Sequence, residues 1–224
     1  MSHATAGLLE RARPDRETLL WGALVVHVEL LVLALWWLAS PTRLLGLAGL
    51  RYWLYPFVWI NVALFAVVRV RPSPAPARRR TLAAAVAVGY VLVLGYVGGL
   101  YGPAMPSPPS LRVAVLSIPP GWGPALLYSG PVLSVTLLPF KVIGYAALGY
   151  LLYATVVDAA GAAVSGLLGL LSCVSCTWPV LASLAAGLAG GGAGLAGAVY
   201  GQSYGLSTAV FVLTVALLSW RPRS

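Results

Sequence analysis

Apolar residues fill six long stretches of the chain, at 18–39, 52–70, 81–100, 133–157, 162–188 and 198–220, separated by short segments rich in arginine, proline or glycine. Each stretch is close to the about 20 residues a helix needs to cross the hydrocarbon core of a bilayer. In lipid the backbone must satisfy its own hydrogen bonds, so long apolar runs without the alternation of a strand predict helices. The pattern therefore predicts an all-α fold, a polytopic transmembrane bundle of six spans. Its organisation is a tail at 1–17, one membrane domain at 18–220 and a short tail at 221–224. Arg11, Arg13 and Arg16 precede the first stretch, but its apolar core is too long for a signal peptide and five more follow it, so it is expected to be retained.

Composition agrees. Over 224 residues, 60% are hydrophobic and 8% charged, with a mean hydropathy of +0.90, which leaves too little polar surface for a water-soluble globule. The net charge of +9 would suggest nucleic acid in a soluble protein, yet no basic patch carries interleaved aromatics, and nucleic-acid binding is set aside. The arginines instead mark orientation. Arg69, Arg71, Arg78, Arg79 and Arg80 crowd the second connection, around a proline-rich segment that cannot continue a helix. Placing that loop and both termini in the cytoplasm puts ten basic residues inside and four outside (Arg43, Arg51, Arg112 and Lys141), which satisfies the positive-inside rule. The longest loop, 101–131, is then extracytoplasmic and dense in proline and glycine. It is expected to be a stiff cap with Trp122 at the interface, ahead of a substrate gate.

The last third holds glycines spaced by four: Gly187 and Gly191, then Gly197, Gly201 and Gly205. Such spacing lines one helix face with hydrogens and lets a second backbone approach closely, so these positions are expected to serve helix packing.

One constellation could carry chemistry. Cys173 and Cys176 sit three apart in Ser172-Cys173-Val174-Ser175-Cys176-Thr177-Trp178-Pro179. On a helix such residues share a face, with Cβ atoms roughly 5 to 6 Å apart, near the range for a disulfide or a shared ion. Pro179 cannot donate to the carbonyl of Ser175, which leaves a kink and a free acceptor beside Cys176. Ser172 and Ser175 add hydroxyls. Three readings stay open: inert packing, which is favoured because cysteine behaves as a small apolar residue; contact with Cu(I) or another thiophilic metal; and thiol exchange. Structural zinc is disfavoured, because it wants four ligands and the chain offers, besides the thiols, only His3 and His27.

Counting about 1.5 Å per residue, His27, Glu29, Asn61 and Cys173 fall in a band roughly 12 to 18 Å deep. A lipid-facing ionised carboxylate there costs several kcal/mol, so Glu29 is expected to face inward or be protonated. His27 and Glu29 point to nearly opposite sides of their helix and do not form one local ligand pair. The band is read as either a proton or metal relay or a buried hydrogen bond within the bundle.

The runs Glu17-Thr18-Leu19-Leu20-Trp21, Tyr55-Pro56-Phe57-Val58-Trp59-Ile60-Asn61-Val62, Pro120-Gly121-Trp122-Gly123-Pro124-Ala125-Leu126-Leu127-Tyr128, Pro139-Phe140-Lys141-Val142 and the cysteine segment resemble an uncharacterised family of haloarchaeal membrane proteins. The resemblance covers nearly the whole chain after residue 16 and implies a single six-pass domain in an archaeal plasma membrane. It transfers no catalytic residue. The cysteine segment alone is also loosely similar to the membrane cysteines of mercury-transport proteins and of disulfide-reductant conductors.

Function is read in three ways, of which a small-solute permease is the weakest, because few polar residues lie within the apolar stretches to line a pathway. Otherwise the protein is a thiol-dependent factor handling a soft, copper-like metal or disulfide exchange, or a non-catalytic structural or assembly subunit of a larger membrane complex. No His-rich cluster, paired carboxylates or Ser-His-Asp set argues for an enzyme. The expected partners are the lipid bilayer and either a second copy or another subunit of a membrane complex. No cofactor is called for apart from a thiophilic ion at the thiols.

Orientation is directly testable. Cysteines placed by Ala77→Cys and Ser224→Cys should be unreachable by an impermeant thiol reagent in intact cells, while one placed by Ser107→Cys should label. Labelling at position 77 and not at 107 would reverse the topology.

Overall fold

The computed structural model describes residues 16–40, 46–104, 108–159 and 193–219. Among them are five helices: α1 (Arg16–Ala39), α2 (Gly46–Arg69), α3 (Ala77–Val97), α4 (Pro139–Ala159) and α5 (Ala193–Ser219). Four of them are long and apolar enough to cross a membrane, over Leu19–Ala39, Tyr52–Arg69, Ala77–Val97 and Pro139–Asp158. The stretch at 162–188, with both cysteines, lies outside the described residues.

The all-helical expectation needs correction. Between α3 and α4 the chain forms an antiparallel sheet of four strands, β1 (Tyr101–Pro103), β2 (Ser110–Ala114), β3 (Ala125–Ser129) and β4 (Leu133–Leu137), in the order β1-β4-β3-β2. The fourth apolar stretch, read as helical from residue 133, begins as strand β4, and its helix starts only at Pro139. The physical reason lies in the segment itself. Val132, Val135 and Thr136 are β-branched and suit a pleated ladder, whereas Pro139, with its fixed φ and no N–H to satisfy, is well placed in the first turn of a helix.

The chain divides into two compact units, 1–43 and 44–224. In the first, α1 exposes most of its apolar side chains, Leu20, Trp21, Leu24 and Leu31 among them, while Glu29, Leu33, Trp36, Trp37 and Ser40 fall on one partly or fully covered face. In the second, α4 is the central element: half of its span is buried, against 22% for α2 and 17% for α3. It packs on α2 and α3, while α5 packs mainly on α2.

Small residues on α4 allow this. A Cβ at Gly144 would lie 2.5 Å from Cε3 of Trp59 on α2, so the indole seats directly on the α4 backbone there. Trp59 also stacks on Phe211 of α5, with centroids 4.0 Å apart and planes 4° from parallel, and meets Phe140 and Tyr145 of α4 edge-on. Its Nε1 donates to Thr208 Oγ1 at 3.0 Å. One indole thus joins three helices. At the far end Tyr150 donates to the Val70 carbonyl at 2.7 Å, and the Ser73 amide donates to Asp158 Oδ1 at 2.9 Å.

These contacts fix directions. Helices α2, α4 and α5 run from the sheet toward the arginine-rich connection at 70–76, and α3 runs back toward the sheet.

Gly144→Val should force Trp59 off α4, lowering stability by about 1 to 3 kcal/mol, as overpacking of a tight core does. Thermal unfolding in detergent measures this. Gly89→Ala, at an open position on α3 with nothing within 4 Å of the added carbon, should leave the melting temperature unchanged or raise it.

Candidate functional site

The sheet is the part of the described structure that lies beyond the apolar helices, and three local devices fix it to them. The first arises from Pro56, inside α2 and buried. Proline has no N–H, so the carbonyl of Tyr52, four residues earlier, loses its helical donor. The indole Nε1 of Trp122, in the turn between β2 and β3, donates to that carbonyl at 2.7 Å. The Trp122 ring also meets Tyr52, with centroids 5.6 Å apart, and Phe140, at 4.7 Å.

The second device uses the neighbouring residue. Gly121 has φ +86°, a region that strains any side chain, and a Cβ there would collide with the Pro56 ring. Its carbonyl accepts from the Phe140 amide at 3.1 Å. That amide is one of the first-turn donors that a helix cannot satisfy internally. One turn, 121–122, therefore supplies the missing donor of α2 and the missing acceptor of α4.

The third device closes α3. Gly99 has φ +73°, the Leu100 amide donates to the Gly95 carbonyl at 2.7 Å, and the Gly99 amide to the Tyr96 carbonyl at 3.2 Å, together a Schellman ending. The Gly98 carbonyl left at this end accepts from Lys141 Nζ at 2.8 Å. The hydroxyl of Tyr101, the first residue of β1, donates to the Leu92 carbonyl, and its ring covers Gly95.

On this rigid seat the sheet carries an apolar face. The register aligns Val113, Leu126 and Leu137 in one cross-strand row and Leu111, Tyr128, Val135 and Tyr101 in the next on the same side. At the β1 end this side covers α3 through Tyr101. At the β2 end it is open: Leu111 is 67% and Val113 57% exposed, and Leu126 and Leu137 are exposed as well. The opposite side is more polar, carrying Ser110, Arg112, Ser129, Ser134 and Thr136 around Leu127, with Ala114 opposite Ala125. The sheet is thus two-sided in chemistry, with its apolar side only partly covered.

The residues singled out from sequence fare unevenly. Cys173, Cys176, Pro179, Ser172, Ser175, Gly187 and Gly191 lie outside the described residues. Glu29 is half-buried and His27 exposed on α1, with His27 Nδ1 at 2.8 Å from the Ala23 carbonyl oxygen. Asn61 is half-buried on α2 and so belongs to the other unit. Gly197, Gly201 and Gly205 lie on α5, where a Cβ at Gly205 would come within 3.0 Å of the Tyr55 hydroxyl on α2. Among the described residues no three His, Cys, Asp or Glu side chains gather as metal ligands.

Sequence reasoning missed the apolar sheet face and the Pro56–Trp122 pairing. Both left signals. Leu111, Val113 and Val115 alternate with Arg112 and Ala114, and a proline inside a span announces an orphaned carbonyl four residues earlier.

The model of a family of unknown function, DUF7546, matches residues 1–224, so the chain belongs to that family. No curated protein and no solved structure matches it.

The pairing of Trp122 with the Tyr52 carbonyl can be tested by a cycle. Trp122→Phe should cost about 1 kcal/mol, because it removes the donor that Pro56 makes necessary at the Tyr52 carbonyl. In a Pro56→Ala background the helix supplies its own donor at residue 56. The same change should then cost markedly less, as read from melting temperatures in detergent.

Proposed function

We propose, for a member of a family that carries no assigned activity, that the protein is a non-catalytic assembly subunit of a larger membrane complex, and that it receives another integral membrane subunit against the apolar side of its sheet. The observation that carries this reading is the open row of Val113, Leu126 and Leu137 beside Leu111. An exposed apolar patch on a well-held element marks an interaction surface. Strand β2 is also an edge, and among the described residues no strand pairs with its outer side.

In this reading the sheet is extracytoplasmic, both termini are cytoplasmic, and the host is the plasma membrane. The placement of Arg69, Arg71, Arg78, Arg79 and Arg80 at the helix ends away from the sheet supports the orientation. Six spans are supported by helix direction: α4 ends on the arginine side, whereas α5 begins on the sheet side.

A second reading rests on the motif itself. Cys173 and Cys176, three apart and followed by Pro179, have the spacing of a thiol pair that holds Cu(I) or another thiophilic ion, or exchanges a disulfide, with Glu29 or His27 moving protons.

One experiment separates the two. Native gels and cross-linking of membranes should show the wild-type chain in a larger assembly, and Leu111→Lys with Val113→Lys should release it while its melting temperature stays unchanged. The Cys173→Ala, Cys176→Ala variant should keep both assembly and metal content. Retention of the assembly by the lysine variant would sink the docking reading; loss of bound copper or of a trapped disulfide in the cysteine variant would favour the second.

A further inference from the structure

The interface between α3 and α4 leaves an open groove at the arginine end of the bundle, independent of the sheet. Two open depressions, of about 360 and 470 Å³, lie side by side along this interface, with Ala84 and Tyr153 lining both. The inner one is lined by Val88 and Leu92 of α3 and by Ala146 and Gly149 of α4. The outer one opens at Arg80 and Thr81. The floor is low because α3 and α4 touch closely beside it: a Cβ at Gly149 would collide with the Val91 side chain.

Length and charge identify an occupant. From Arg80 to Leu92 is twelve residues, about 18 Å along a helix. One leaflet of the hydrocarbon core is about 15 Å deep. The groove therefore accepts a single acyl chain of one leaflet, with the head of that lipid at Arg80. Charge then selects the head. The connection holds Arg69, Arg71, Arg78, Arg79 and Arg80, while the only carboxylate in residues 44–224 is Asp158, which already receives the Ser73 amide. Five arginines against one aspartate leave this end of residues 44–224 with net positive charge, which attracts an anionic head. Thr81 brings no competing demand, since its hydroxyl donates to the Ala77 carbonyl at 3.1 Å.

We propose that the α3–α4 groove is a binding site for one anionic phospholipid, its acyl chain along Ala84, Val88 and Gly149 and its phosphate at Arg80. Guanidinium and phosphate suit each other as fork and fork, and basic pockets between spans hold acidic lipid heads on this principle. A zwitterionic lipid offers the same chain without net negative charge and should be held less well.

The test uses the full-length protein, delipidated in detergent and titrated separately with phosphatidylglycerol, with phosphatidylcholine of the same chains, and with inorganic phosphate, each followed by native mass spectrometry. One phosphatidylglycerol should remain bound under conditions that strip phosphatidylcholine. Arg80→Gln should weaken its retention about fivefold, as expected for one cation at the membrane surface, and Arg80→Lys should restore most of it. Ala84→Phe fills the groove from an exposed position and should abolish the bound stoichiometry without lowering the melting temperature. Equal retention of both lipids, equal occupancy by inorganic phosphate alone, or wild-type lipid binding in both Arg80→Gln and Ala84→Phe would each overturn the site. So would a dimer that Ala84→Phe dissolves while lipid binding stays absent, because the groove would then belong to a second copy.

Discussion

A backbone carbonyl that its own helix cannot satisfy governs how this protein is put together. A proline within a helix leaves the carbonyl four residues earlier without its helical donor, and another part of the chain can answer it. Pro56 leaves the Tyr52 carbonyl without a donor, and Trp122 answers from 70 residues away. The same turn answers a second deficit, the Phe140 amide, through Gly121. The membrane helices thus arrive at this end with unmet hydrogen bonds, and the connection between α3 and α4 is folded so as to meet them. Its sheet is the by-product of that fixation as much as its cause.

Helix α4 plays the complementary part in the interior. Gly144 brings it against Trp59 of α2 and Gly149 against Val91 of α3, so two different neighbours use two different absences of a side chain on one helix. Aromatic rings then fill the space: Trp59 lies flat on Phe211 and edge-on to Phe140 and Tyr145. Close approach where hydrogens suffice, and large flat surfaces elsewhere, give packing in a medium that offers helices no hydrophobic incentive to associate.

The helices were legible in the sequence because a span of apolar residues has one outcome in lipid, and the observed α1, α2, α3 and α4 fall on four of the six stretches. The sheet was not legible for a related reason. Leu133 and Val135 read as the start of a span since hydrophobicity alone cannot distinguish a strand that runs up to a helix from the helix itself. Only Pro139, as a first-turn residue, carried the boundary. The Trp122 contact was hidden because proline's missing donor says that a partner is needed without saying which. The glycine pattern drew attention to Gly197, Gly201 and Gly205, while Gly144 and Gly149, where an added carbon would meet Trp59 and Val91, are marked by no repeat spacing.

The strand order has a consequence for biogenesis. Strand β1 follows α3 directly and β4 precedes α4, yet these two are paired, with Tyr101 opposite Val135 and Pro103 opposite Leu133. One edge ladder of the sheet thus joins residues from the beginning and the end of the connection. Thr136, whose amide donates to the Leu100 carbonyl, closes that ladder onto the end of α3. A ribosome releasing the chain from its N-terminus supplies β2 and β3 before β4 exists, so β1 waits unpaired until β4 emerges. The contacts of Lys141 with the Gly98 carbonyl and of the Phe140 amide with Gly121 come last, because both residues lie on α4 and follow every strand in the chain.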